Sequence, residues 1–126
     1  MVISVAKRAM HNSLSKIVPK LWGVEIWYVD DVNYCGKKII IIDGCSTSMH
    51  YHNHRDKTVL VTVGCLEVKY LDQPDSILLR IGESLRIKPG VAHQFIAPSG
   101  QGPLELIEFS TQHSPDDTTR VGKKND

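Results

Sequence analysis

The sequence predicts an all-β domain, in the form of a sandwich, jelly roll or barrel. Short β-branched and apolar runs recur along it, cut by turn signals every eight to twelve residues. A chain of 126 residues forms one domain with a single core. In "KTVLVTV", Val59, Val61 and Val63 alternate with Thr58, Leu60 and Thr62, so one strand face is wholly valine. Many short strands in one domain lead to few other architectures.

The elements follow in order. Ala6, Met10, Leu14 and Ile17 recur at three- and four-residue intervals, which predicts a short amphipathic helix or arm that Pro19 ends. Strands are expected near 24–30, 37–42, 47–53, 57–63, 66–71, 77–81, 85–87, 91–96 and 104–110. "VGCLE" at 63–67 has the form of a tight hairpin, while "LDQPDS" and "APSGQGP" are turns. From His113 the tail is polar and expected to be mobile. The expected organisation is an N-terminal arm at 1–21, a barrel at 22–111 and the tail at 112–126.

Composition narrows the function classes. Hydrophobic residues make up 41% and charged residues 23%, as in ordinary globular proteins. A net charge of +1 provides no field for holding nucleic acid or an anionic membrane. The longest apolar stretch, "IIII" at 39–42, is far too short for a membrane helix. The first residues lack the pattern of a signal peptide. Cys35, Cys45 and Cys65 are odd in number and form no CxxC pair, which predicts buried, reduced thiols and a cytoplasmic setting.

The chemistry concentrates in "MHYHNHRDK" at 49–57. Residues two apart on a strand share a face, so His50 and His52 project together. A third imidazole from a later strand, His93, can meet them inside a barrel. Three neutral imidazoles suit Zn²⁺, Fe²⁺, Ni²⁺ or Cu²⁺ and leave coordination positions open. His54 continues the alternation but is expected at the bend that ends the strand.

The same residues carry a family resemblance. Gly44, His50, His52, position 57 and Gly64 have the spacing of the first cupin motif, and Gly82, "KPG" and His93 that of the second. The chain thus resembles a small single-domain cupin over roughly residues 22–111. "LWGVEIWYVDDVNYCGKK" and "EFSTQHSPDDTTRV" are similar to segments of cupins related to sugar isomerases. The resemblance implies a double-stranded β-helix, a divalent transition metal (Zn, Fe, Ni or Mn) on His50, His52 and His93, and pairing into a homodimer through residues 2–29. Three positions depart from the pattern: Lys57 stands where the family has a glutamate ligand, Lys88 where it has proline, and Ala97 where it often has asparagine.

Lys57 belongs to the valine face, and an ammonium beside a dication is repelled. Four arrangements are open. Asp56 swings inward through a bulge, Glu108 supplies a carboxylate from another strand, Lys57 faces an anionic substrate, or Lys57 snorkels to the barrel mouth. Metal binding is accordingly expected to be weak or lost on dialysis. Lys37, Arg55 and Lys57 are candidate anchors for a phosphate or carboxylate, while Trp22 and Trp27 are expected first in core or dimer packing and second as flat faces for a sugar ring. Glu108 and Lys57 are the candidate catalytic residues, with Glu108 or a histidine as base. The leading expectation is a metal-assisted isomerase or epimerase of a sugar or sugar phosphate. The alternatives are a sugar-binding cupin without turnover and a three-histidine iron oxygenase.

Overall fold

The computed structural model describes residues 15–122, which form eleven strands and one short 3₁₀ turn. The strands are β1 (Lys16–Lys20), β2 (Gly23–Asp30), β3 (Cys35–Ile41), β4 (His50–His52), β5 (Lys57–Val63) and β6 (Leu66–Tyr70). They continue with β7 (Ile77–Leu79), β8 (Ser84–Ile87), β9 (His93–Ile96), β10 (Leu104–Ser110) and β11 (Thr118–Arg120). A six-stranded sheet runs β1-β2-β3-β10-β5-β8 and a five-stranded sheet runs β11-β4-β9-β6-β7. All the paired strands are antiparallel.

Alternation decides what lies between the sheets. Along β10, Leu104, Leu106, Glu108 and Ser110 are buried, while Glu105, Ile107 and Phe109 point outward. β3 and β5 flank it and bury Cys35, Lys37, Ile39 and Ile41 on one side and Lys57, Val59 and Val61 on the other. Register sorts these side chains into layers: Leu104 pairs with Ile41, Leu106 with Ile39 and Val61, and Glu108 with Lys37. One end of the interior is therefore hydrocarbon, completed by Leu66, Val68 and Ala97 from the second sheet. Burying each large aliphatic side chain there contributes about 1.5–3 kcal/mol. The other end is ionic.

The tight hairpin expected at 63–67 is instead a crossover between the sheets, since β5 and β6 lie in different ones, and it turns at Gly64, which holds φ at +79°. A Cβ there would come within 2.5 Å of the Pro103 carbonyl oxygen, so the turn requires glycine.

Two further expectations change. The helical reading of 2–17 falls mostly outside the described residues, but Ile17 lies in a strand. β1 forms a hairpin with β2, pairing Ile17 with Ile26 and Pro19 with Val24. Proline is tolerated because β1 is an edge strand. "VEIWYV" is consequently interior to its sheet, not an edge. The tail is also held more firmly than its polarity suggested. β11 pairs with β4, and the buried Asp117 accepts from the backbone N–H groups of His54 and Arg55 at 2.8 and 2.9 Å. Those contacts come from residues more than sixty positions upstream, which local composition does not reveal.

Candidate metal and ligand site

The histidines come from two neighbouring strands of the smaller sheet. His50 and His93 are partners in the β4–β9 register, and His52 follows His50 on the same face. Their ring centroids lie 4.7 Å (His50–His93), 5.1 Å (His50–His52) and 5.9 Å (His52–His93) apart. One ring nitrogen from each falls within 4.8 Å of the other two, and no carboxylate joins the group among the described residues.

Hydrogen bonding orients the rings. His50 Nδ1 lies 2.9 Å from the Ser48 carbonyl and His93 Nδ1 2.9 Å from the Val91 carbonyl. A carbonyl only accepts, so both rings carry their proton on Nδ1 and keep a lone pair on Nε2. His52 Nδ1 meets the Thr118 hydroxyl at 3.1 Å. The Nε2 atoms of His52 and His93 are buried without a protein partner. Burial, and then the nearby Lys57 ammonium, push His50 down to about 4 and His52 and His93 to about 2. All three are neutral imidazoles at physiological pH, the form that binds a metal.

The larger sheet and the loop between β4 and β5 supply the facing wall. Lys37, Arg55 and Lys57 are each 4% exposed and surround Glu108, which is 2% exposed. Lys57 Nζ is 3.4 Å from Glu108 Oε1, while Arg55 Nη1 and Lys37 Nζ are 3.6 and 3.8 Å from Oε2. Burial alone would raise the Glu108 carboxyl, but Lys57, Lys37 and Arg55 outweigh it and hold the group ionised, well below the usual carboxylate range. Burial lowers Lys57, which the Glu108 carboxylate partly offsets.

Lys57 therefore lies neither at the mouth nor aside from the interior. Asp56 does not swing inward, because Arg86 holds it at the surface through two contacts of 3.0 and 2.6 Å. The carboxylate that enters the interior is Glu108, and it serves the cations, not the histidine group. His54 is exposed and outside the group.

Lys37, Arg55, Lys57, Glu108, His50 and His52 line one cavity of about 1160 Å³, while His93 sits behind it, fully buried. Trp27 borders the same cavity, but its faces are partly taken: the Lys37 and Lys16 ammonium groups lie 4.4 and 4.9 Å from its ring centre. Its indole N–H donates to Glu25 at 2.8 Å.

Sequence reasoning missed three contributors. His113 accepts from Arg55 Nη2 at 2.7 Å and packs edge-on against Trp27 at 4.5 Å. Thr118 orients His52, and Glu25 pairs with Lys37 at 3.6 Å. The first two belong to the tail, where polarity was the sole local signal. Glu25 stood on an alternating strand whose inward face was not resolved by pattern.

Comparison with known proteins places the fold. No curated protein matches the sequence. The polyketide cyclase RemF from Streptomyces resistomycificus superposes with a TM-score of 0.78 at 18% identity, covering 93% of this chain and 89% of that one. A cupin-like protein from Thermotoga maritima gives 0.67 at 24% identity, over 80% and 78%. The capsular polysaccharide assembling protein CapF from Staphylococcus aureus gives 0.70 at 15% identity over 89% of this chain. The present chain spans about a third of the length of CapF, 35%. At these identities the likeness concerns the fold. A family model described as mannose-6-phosphate isomerase C-terminal matches residues 7–122. With nearly the whole sequence matched and two antiparallel sheets enclosing the histidines, the chain belongs to that family and is a cupin with a double-stranded β-helix fold.

Proposed function

We propose that this cupin is a metal-assisted isomerase or epimerase acting on a sugar or sugar phosphate. The observation that carries the reading is one cavity lined on one side by the neutral imidazoles of His50 and His52, with His93 behind them, and on the other by a carboxylate among three cations. The residues fit a divalent transition metal: His52 and His93 bury Nε2 atoms without partners, and nitrogen donors suit Zn, Fe or Ni. His50, His52 and His93 would hold the ion, which as a Lewis acid would polarise a substrate carbonyl.

The chain's own groups supply the proton chemistry. Isomerisation removes a proton from the carbon beside the carbonyl. Glu108 is ionised and so able to accept it, but its three cations make it a weak base. A ligand that draws those cations towards itself loosens their hold on Glu108 and strengthens the base. Lys57, adjacent at 3.4 Å, is placed to return a proton or to stabilise negative charge on oxygen. The same pairing also supports a second reading, a sugar-binding cupin in which Glu108 is purely a counter-ion.

The test is deuterium exchange from D₂O into a panel of aldose and ketose phosphates, with protein loaded with Zn, Fe, Ni or Mn. Exchange beside the carbonyl that disappears in Glu108→Gln supports the isomerase. Saturable binding without exchange leaves the binding module, and iron-dependent oxygen consumption would point to an oxygenase. The free thiols Cys35, Cys45 and Cys65 fit a reducing cytoplasm. The exposed edge strand β1, with Ile17 66% exposed, fits pairing into a homodimer, which sedimentation tests against a monomer mass.

A further inference from the structure

The ionic end of the interior is incompletely neutralised. Lys37, Arg55 and Lys57 share Glu108, and Lys37 also reaches Glu25. Three buried cations thus face two carboxylates. All four ion pairs are between 3.4 and 3.8 Å, longer than the charge-assisted hydrogen bonds such groups form when fully engaged. Arg55 Nε is buried without a partner, although Arg55 is 4% exposed and borders the cavity. Its Nη2 is fixed by His113 at 2.7 Å, and its peptide N–H by Asp117, so the guanidinium is held in place before any ligand arrives. A buried positive excess with an unfilled donor is costly unless a negative group completes it.

We propose that Lys37, Arg55 and Lys57 form a subsite for an oxyanion, a carboxylate or phosphate, carried by the ligand that reaches the three histidines. The subsite rests on and deepens the isomerase reading, because it names the substrate class as an anionic sugar. The spacing suits one small ligand. Lys57 Nζ is 4.9 Å from the centre of the Phe95 ring, and the His93 ring is 5.2 Å from that same centre. Lys57 and His93 thus both pack against Phe95, which puts the cation group and the histidine group at one part of the interior. One oxyanion there balances the excess charge and fills Arg55 Nε. The lysine in the position of the family's glutamate ligand then acts as a binding group for the substrate.

The experiment is calorimetric titration of the full metal-free chain with gluconate, glucose 6-phosphate and glucose as probes. Gluconate or glucose 6-phosphate is expected to bind at least tenfold more tightly than glucose, with a preference that shrinks as salt rises. The tighter of the two anions identifies whether carboxylate or phosphate is recognised. Arg55→Lys, which keeps the charge but lacks Nε, and Lys37→Met are each expected to reduce the preference at least threefold while retaining a cooperative melt. Equal binding of glucose and both anions overturns the subsite, as does an undiminished preference in the folded variants. Anion preference without deuterium exchange would sustain the subsite and end the isomerase reading. Exchange with neutral sugars and no anion preference would do the reverse.

Discussion

The two walls of the cavity bury nitrogen in opposite ways. On the five-stranded sheet, His50, His52 and His93 are kept neutral by desolvation, and hydrogen bonds on Nδ1 fix the orientation of each ring. On the six-stranded sheet and the loop that leads into its strand β5, Lys37, Arg55 and Lys57 are gathered around one buried carboxylate. Neutral imidazoles cost little to bury and keep lone pairs for a cation. Ammonium and guanidinium groups must find a counter-charge, and what they leave unmatched attracts an anion. The same cavity is thereby prepared for partners of opposite sign on its two sides.

The largest expected effect comes from acid acting on the histidine wall. The folded chain holds His50 at about 4 and His52 and His93 at about 2, against an ordinary 6.5, so the unfolded chain takes up protons first. Their contribution is intact above about pH 6.5 and is lost as the pH falls below it. For metal-free protein, stability should fall by on the order of 5 kcal/mol between pH 7 and pH 5. Urea denaturation at a series of pH values measures this, and a flat profile would mean that the imidazoles are hydrated. Bound metal should raise stability without removing this slope, because the folded histidines take up no protons in this range with or without the ion.

The cation wall should fail next, if its counter-charge is removed. Glu108→Gln leaves three buried cations with only Glu25 nearby, at an expected cost of about 3 kcal/mol or more. Denaturant midpoints at neutral pH give the number, and a change below about 1 kcal/mol would place these cations among weak surface pairs.

Exchanging the sign of one residue should bring the walls into register with each other. Lys57→Glu removes an ammonium that depresses all three histidines and adds a carboxylate in its place. Zn²⁺ or Ni²⁺ should bind at least tenfold more tightly, about 1.4 kcal/mol. Equal affinity in a competition titration would show that Lys57 does not act on the metal group.

The smallest effect concerns orientation. Thr118→Val removes the hydroxyl beside His52 Nδ1 while keeping the shape of the side chain. Metal affinity should fall by about tenfold, the low end of what such partners contribute, since Thr118 is exposed and water can replace it. Thr118→Ser should restore it, whereas loss in both variants would implicate the β4–β11 pairing and not the hydroxyl.

Local pattern determined a great deal by itself. Alternation located β5 and β10 to the residue and put Lys57 on the interior face, because period two is a property of the strand alone. The spacing of two glycine- and histidine-bearing motifs anticipated that His50, His52 and His93 would converge. Tertiary structure decided the rest. Pro19 and a helix-like spacing hid β1, which exists because β2 offers it a partner. A polar tail became β11 and brought His113, Asp117 and Thr118 to the site through contacts with residues far upstream. The role of Lys57 was likewise undecidable from its neighbours, since its charge is matched by Glu108 from a strand fifty residues later in the chain. Periodicity records which face a side chain occupies, while the counter-charge it meets there depends on which strands the fold brings together.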